Sequence, residues 1–494
     1  MHKRSFPVRL RKKSLRRSSS PSLFRHEKSI LSGRGQQDCK IAKPMKHFLY
    51  KSYRAFYSSS RWRKRRFTSA GSLVLVTIFI TAILGIDTGQ SLIYQIFSFL
   101  LPLLILAMIF SLSFRIQLTI DRKLPRFATV GEQLTYDIRI RNLTGRKQKG
   151  LYCYENPEDP RPSFQTFIQA REPGEEKRNI WDRKVLFHRW MWLIKRNTSA
   201  RIKEFPVPEL LPNAEGNVSI QTTPRRRGYL RLTGITIARP EPLGLCKSFH
   251  VIPNRQKILV LPKRYQIPEI LLQGTRKYHS GGISMASSVG DSNEFLSLRQ
   301  YRPGDPMKQI HWKSWAKTNE LIIREYQDEF FIRHALILDT FRKEHYSDVF
   351  EEAVSIAASM VCTLQTRESM LDLMFVNTKA YCFSSGRGMA GTGKLMEILS
   401  CVQTCSDKTI ESLQSMVLQS VALLSGCICI LLSWDRERKN FIQNLLSHGL
   451  PLIVIVVTEN DPVLVQKDPG PMKNSIRHFH AVQVGNIEKG LTLL

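Results

Sequence analysis

Three groups of residues in this 494-residue chain have types and spacings that could do chemistry. Residues 388–394 read Gly-Met-Ala-Gly-Thr-Gly-Lys, in which amides between Gly388 and Gly393 would cradle phosphates and Lys394 would neutralise them. The following residue is Leu395, where a hydroxyl should hold Mg²⁺. Asp305, His311 and Ser314 supply an acid, a base and a nucleophile, yet Ser314 stands at the i+3 spacing of a simple helix neighbour. A third group, over residues 294–325, interleaves Glu294, Arg299, Lys308, Lys313 and Arg324 with Trp312 and Trp315. It reads as an ion-pair and aromatic network pinning two domains together, with a nucleic-acid patch as the alternative. Nine cysteines, an odd and scattered set, read as reduced; Cys401-x3-Cys405 lacks a second pair to complete a zinc site.

The elements that must position these residues begin with a membrane segment. Residues 1–66 hold 21 Lys/Arg against Glu27 and Asp38, whereas residues 67–114 contain no base and only Asp87. Two apolar stretches, 70–86 and 91–114, flank the turn at 87–90. At about 1.5 Å per residue they match a hydrocarbon core of about 30 Å. Arg61, Arg63, Lys64, Arg65 and Arg66 precede the first stretch, and Arg115, Arg122 and Lys123 follow the second. The positive-inside rule then places both termini in the cytoplasm of a multi-pass protein. The basic leader reads as a disordered tail against anionic lipid, making membrane lipids a more natural partner than nucleic acid. Its Arg/Ser-rich start also fits a transit peptide, and Met45 is an alternative start.

Two soluble domains follow. Residues 115–262 alternate polar and apolar in short runs, such as 115–120, 134–140, 216–220 and 230–237, punctuated by Pro and Gly; this predicts a β-sandwich-like domain. Trp181, Trp190 and Trp192 read as core, with an aromatic binding platform as the alternative. From 334 to 494, strands are predicted at 334–339, 371–376, 427–433 and 451–457, and helices at 348–365, 394–402 and 436–447. That order implies a doubly wound, mostly parallel sheet with function in the loops after its strands. The arrangement resembles the von Willebrand factor A domain, whose metal site uses Asp-x-Ser-x-Ser, a Thr and a second Asp. The resemblance points to Asp339, Thr392 and Asp435 as a degenerate Mg²⁺ site, with Phe341 and Lys343 standing where the two serines belong.

Residues 263–333 join the two domains and carry the most distinctive spacing. Glu294-Phe295, Leu298-Arg299-x-Tyr301, Pro303-Gly304-Asp305, Lys308-x-Ile310 and His311-Trp312-Lys313 fall at fixed intervals. This pattern is similar to the signature of the bacterial "domain of unknown function 58" family. Residues 224–229 (Pro-Arg-Arg-Arg-Gly-Tyr) and 242–245 (Pro-Leu-Gly-Leu) resemble two further elements of that family, with Glu241 replacing Asp and Leu243 replacing Phe. The resemblance implies an anchored bacterial protein with a von Willebrand A-like region after the signature. It also implies genes often encoded beside those of MoxR-type AAA+ ATPases, without an established general catalytic activity.

The expected protein is therefore a cytoplasmic-facing adaptor in the inner membrane, without catalysis or cofactor, working with an AAA+ ATPase in protein or complex maturation. The alternative is a Mg²⁺- or nucleotide-dependent enzyme using residues 388–395 with Asp339 and Asp435.

Overall fold

A computed structural model describes residues 30–84, 91–112, 114, 116–201, 203–268, 295–326, 332–344, 346–364, 369–385 and 389–492. The turn expected at 87–90, Glu294 and Gly388 lie outside the described residues. Six helices occupy the described part of the first 200 positions: α1 (Ile30–Arg66), α2 (Ser69–Leu84), α3 (Ser91–Leu112), α4 (Phe164–Gln169), α5 (Ile180–Val185) and α6 (Phe187–Asn197). The chain divides into two compact units, residues 1–60 with 162–191 and residues 61–161 with 192–494.

The first unit is helical and built on aromatic packing. Tyr50 of α1 meets Phe164, Phe167 and Trp190, with ring centroids 5.4–5.9 Å apart, and Tyr53 meets Phe187 and Trp190. Their hydroxyls donate to the carbonyls of Pro162 and Val185 at 3.1 and 2.8 Å. Residues 30–66, expected as disordered tail, are thus helix α1. Local composition favours disorder there, but Tyr50 and Tyr53 find their partners more than 110 residues away, and tertiary packing supplies most helical stability. Trp190 is buried as expected of core, whereas Trp181 is almost fully exposed.

In the second unit, α2 and α3 are apolar around most of their circumference. Residues 92–112 are long and apolar enough to cross a membrane; α2 is shorter. Pro102 lies inside α3 without ending it, as lipid-embedded helices allow. The following strands are β1 (Leu118–Lys123), β2 (Phe127–Thr129), β3 (Leu134–Asn142), β4 (Tyr152–Pro157), β5 (Ala200–Arg201), β6 (Phe205–Pro206), β7 (Glu215–Pro224), β8 (Gly228–Pro240) and β9 (Lys247–Leu261). They form sheets of order β1-β3-β7-β5 and β2-β9-β8-β4-β6, and the inward residues of both enclose one core. The alternation along β3, with Ile138 and Ile140 buried between exposed Asp137, Arg139 and Arg141, is that of a sheet with one wet face.

The signature segment folds as the hairpin β10 (Phe295–Gln300) and β11 (Ile322–Tyr326), with α7 (Trp312–Thr318) in its connection. The C-terminal sheet comprises β12 (Ile332–Leu338), β13 (Ser369–Val376), β14 (Ala380–Ser385), β15 (Gly426–Leu431), β16 (Leu452–Thr458) and β17 (Phe479–Gln483). Its order is β14-β13-β12-β15-β16-β17, and all pairs are parallel except the edge hairpin β13–β14. Helices α8 (Asp348–Leu364) and α9 (Met389–Cys401) cover one face; α10 (Ile410–Ser420) and α11 (Arg436–Ser447) cover the other. With helices on both faces, β15 and β16 are continuous apolar runs rather than alternating ones.

Candidate functional site

The C-terminal ends of the neighbouring parallel strands β12 and β15 bring Asp339 and Asp435 to one edge of the sheet. Asp339 is wholly buried. Its Oδ1 accepts from the Phe341 amide at 2.9 Å and its Oδ2 from the Leu432 amide at 3.0 Å. The Arg438 guanidinium then takes the remaining capacity: Nε donates to Asp339 Oδ2 at 2.6 Å, one Nη to Asp435 Oδ2, and the other Nη to the Phe341 carbonyl at 3.2 Å. Asp435 also caps α11, accepting from the Arg438 amide at 3.0 Å, which fixes both partners on one helical turn. Burial works against the guanidinium charge, yet Asp339 and then Asp435 hold its pKa above the ordinary value.

A divalent cation needs carboxylate oxygens with open coordination directions. Here both carboxylates already bridge to one internal cation, and Phe341 and Lys343 contribute no side-chain oxygen. Thr392 is not brought to them. It lies in the first turns of α9, about 14 Å of helix from the Cys401 end that leads back towards Asp339. The segment that does pair with the Asp339 loop contains Cys405, whose amide donates to the Thr340 carbonyl at 2.8 Å. These residues do not fit the metal that the von Willebrand A resemblance implies. Among the described residues, no group of three or more His, Cys, Asp or Glu is arranged to hold one.

Gly393 and Lys394 are also helical, inside α9, rather than in a strand-to-helix loop. Their amides belong to a helix whose buried face, Leu395, Met396 and Leu399, packs against the sheet. The glycines suggest an open loop, but packing of this face outweighs a glycine cost of about 1 kcal/mol per residue.

The signature hairpin is held by its own polar groups. Arg299 clamps Asp305 with two bonds of 2.7 and 2.8 Å, and the Arg302 amide adds a third at 2.8 Å. These donors lower the Asp305 carboxyl to about 2, the Arg299 side chain being the largest cause. Gly304 between them has φ +107°, which an L side chain rarely adopts, while Pro303 presets the preceding residue. The Tyr301 amide donates to Leu321 and the His311 amide to Ile322, both at 2.8 Å, closing the connection. His311 Nδ1 lies 2.6 Å from Ser314 Oγ, and Asp305 bonds elsewhere, so the three do not form a catalytic relay. Trp312 and Trp315 meet edge to face at 5.6 Å and stay exposed beside Lys313 and Lys317.

Two further contacts were not legible as functional. At the turn between β7 and β8, Arg227 enters the α/β domain: it pairs with Glu351, donates to the Val402 carbonyl at 2.7 Å and lies over the Phe350 ring. Burial lowers its pKa, partly opposed by Glu351. Its neighbours Arg226 and Arg196 both lie over the Tyr346 ring. Beside them a cleft of about 310 Å³ is lined by Glu158, Asp159, Asn197, Arg226 and Arg231. The second contact is the turn at 241–246. The buried Glu241 carboxylate accepts from the amides of Leu243, Leu245 (2.6 Å) and Cys246 (3.1 Å). The Leu245 carbonyl so presented accepts from the Thr68 amide at 3.1 Å, at the start of α2. Both are the segments whose sequence resembled family elements outside the signature, which was the available signal.

Residues 297–412 match the family described as "Protein of unknown function DUF58". The match runs from the signature hairpin through α9 into α10, to a family described as one of unknown function. The uncharacterized protein YeaD of Bacillus subtilis is 31% identical over 137 residues, 27% of this chain and 33% of that protein. The chain thus spans about a third of the curated relative's length. Among solved structures, an aerotolerance-related membrane protein from Bacteroides fragilis is 10% identical, covering 32% of this chain and 94% of that one, with a TM-score of 0.23. A CARDB domain from Pyrococcus furiosus is 13% identical, covering 29% and 93%, with a TM-score of 0.14. Scores this low do not equate folds.

Proposed function

We propose that this chain is a membrane-anchored interaction protein facing the cytoplasm, with a von Willebrand A-like α/β domain that presents its strand-end loops to a protein partner. The partner class we propose is a MoxR-type AAA+ ATPase, with the pair acting in the maturation of another protein or complex. The observation carrying this reading is the Arg438 guanidinium between Asp339 and Asp435. A fixed internal cation occupies the place a metal would take between the two carboxylates, so the loop surface needs no metal to hold its shape. The strand order, with an antiparallel edge beside five parallel strands, supports the von Willebrand A comparison. The absence of Lys and Arg between 67 and 114, against dense bases before and after, supports a hairpin anchor with both ends inside.

The enzyme alternative is tested by titrating the detergent-solubilised protein with ATP and with Mg²⁺ in a calorimeter. The adaptor reading expects no saturable heat that depends on Lys394 or Asp339. Binding abolished by Lys394→Ala or Asp339→Asn, in variants that still fold, would overturn it.

A further inference from the structure

We infer that the first compact unit, formed by residues 45–60 with 162–191, is a docking surface for anionic phospholipid headgroups. The inference starts from what this small unit leaves outside. One stripe of α1, carrying Tyr50 and Tyr53, is committed to the aromatic core. Met45, Phe48 and Phe56 follow one another at intervals of three and eight residues on a different stripe. Phe48 and Phe56 are 69% and 65% exposed. On α5, Trp181 is 78% exposed beside exposed Ile180, and the Lys184 ammonium lies 5.8 Å from the Trp181 ring. A water-soluble helical unit of this size has no reason to hold out three aromatic rings, because its own core is already filled by Phe167 and Trp190.

Charge selects the occupant. Residues 45–66 contain eight Lys/Arg and no Asp or Glu. Of the four acids in residues 162–191, Glu172 pairs with Arg178 at 2.8 Å, Glu175 with Arg189 and Glu176 with Arg171 at 3.7 Å, while the exposed Asp182 is followed in sequence by exposed Arg183 and Lys184. An apolar stripe beside bases, with Trp and Phe at the boundary, is the composition that settles between headgroups and acyl chains. The chain also enters the apolar helix α2 at Ser69, three residues after α1 ends. Phe56 precedes that end by ten residues of chain. An anionic surface is therefore what a protein anchored through α2 and α3 meets next.

The test uses full-length protein in nanodiscs of phosphatidylcholine alone or with phosphatidylglycerol, carrying bromine on the acyl chains. Neither α2 nor α3 contains tryptophan, so quenching comes from outside the spans. The Trp181 contribution is the difference between wild type and Trp181→Phe. We expect Trp181→Phe to remove a distinct quenched component that grows with phosphatidylglycerol. Lys51→Glu/Arg54→Glu should reduce this component about tenfold or more, at the usual strength of a base near an anionic surface. The blue-shifted emission of buried Trp190 reports that each variant folds. An unchanged quenched fraction in Trp181→Phe overturns the inference. So does shielding of Trp181 in lipid-free detergent that depends on protein concentration, which would assign the surface to a second copy. The inference rests on the anchor reading, and the two fail differently. A protein that does not enter nanodiscs refutes the anchor, whereas an inserted protein with unquenched Trp181 refutes only the docking.

Discussion

Removing the Arg438 side chain is the perturbation whose consequence the geometry defines best. Arg438→Ala deletes the internal cation and leaves Asp339, which is wholly buried, with two backbone amides and no counter-charge. Breaking one side of a buried pair costs about 3–5 kcal/mol, because the orphaned charge cannot reach water. Asp435 adds little to that figure, since its side chain is 46% exposed and water replaces the lost bond. The expected loss in denaturant unfolding of the α/β domain is therefore about 3–4 kcal/mol, nearly all through Asp339. Arg438→Lys should recover only part, because an ammonium cannot span both carboxylates and the Phe341 carbonyl as the planar fork does. The double variant Asp339→Asn/Arg438→Met should be less destabilised than the sum of its singles. Mg²⁺ should leave wild-type unfolding unchanged but raise the midpoint of Arg438→Ala, where two carboxylates now lack a cation. A loss below about 1 kcal/mol, or Mg²⁺ stabilisation of the wild type, would refute the reasoning.

Other regions give independent outcomes. A Cβ on Gly71 would lie 1.9 Å from the Leu245 carbonyl oxygen, a backbone atom, so Gly71→Ala should force α2 off the 241–246 turn at a cost of about 1–3 kcal/mol, seen as faster hydrogen exchange at Leu245 and Cys246. Unchanged exchange would contradict that contact. Arg227→Ala should loosen the β domain from the α/β domain by about 2–3 kcal/mol, below the roughly 3–5 kcal/mol of a fully buried pair because Glu351 is 31% exposed. Two separated unfolding transitions in place of one would report it, and Arg227→Lys should not rescue. Asp305 titrates below its ordinary value, so its support for the signature hairpin is complete above about pH 4 and is lost as pH falls towards 2. Trp312 and Trp315 emission should follow that window, and Asp305→Asn should abolish the acid limb; a change beginning above pH 5 would contradict it.

Much of the α/β domain was legible because both sheet faces are covered. The continuous apolar runs of β15 and β16, and the apolar end of β12 at Ala335–Leu338, could not be mistaken for loops, and Asp435 before Arg436 marked the start of α11. The edge strands were not read: β14 is half exposed, and β17, though mostly buried, is only five residues long and interrupted by His480. In the β domain the alternating strands β1, β3, β7 and β8 were visible. The fifteen-residue β9 was hidden by Pro253, which sits opposite Gly234 beside a register shift where β9 carries one residue more than β8. The helical insertion after β4 was invisible because its helices are short and are stabilised by α1, far away in sequence. The candidate site divided similarly. Asp339 and Asp435 were found from their place after strands, whereas Arg438 was not, since an arginine in a helix carries no mark of burial.

The central claim is that the chain works by holding an AAA+ ATPase at the membrane. It is tested most directly by purifying the intact protein from membranes in mild detergent, through a C-terminal affinity tag, and identifying what accompanies it by mass spectrometry. The account predicts recovery of an AAA+ ATPase with the wild type and its loss with a folded variant, Lys343→Glu/Arg436→Glu, that reverses exposed charges after strands β12 and β15. Recovery of no AAA+ ATPase above background, or equal recovery with that variant, would contradict it.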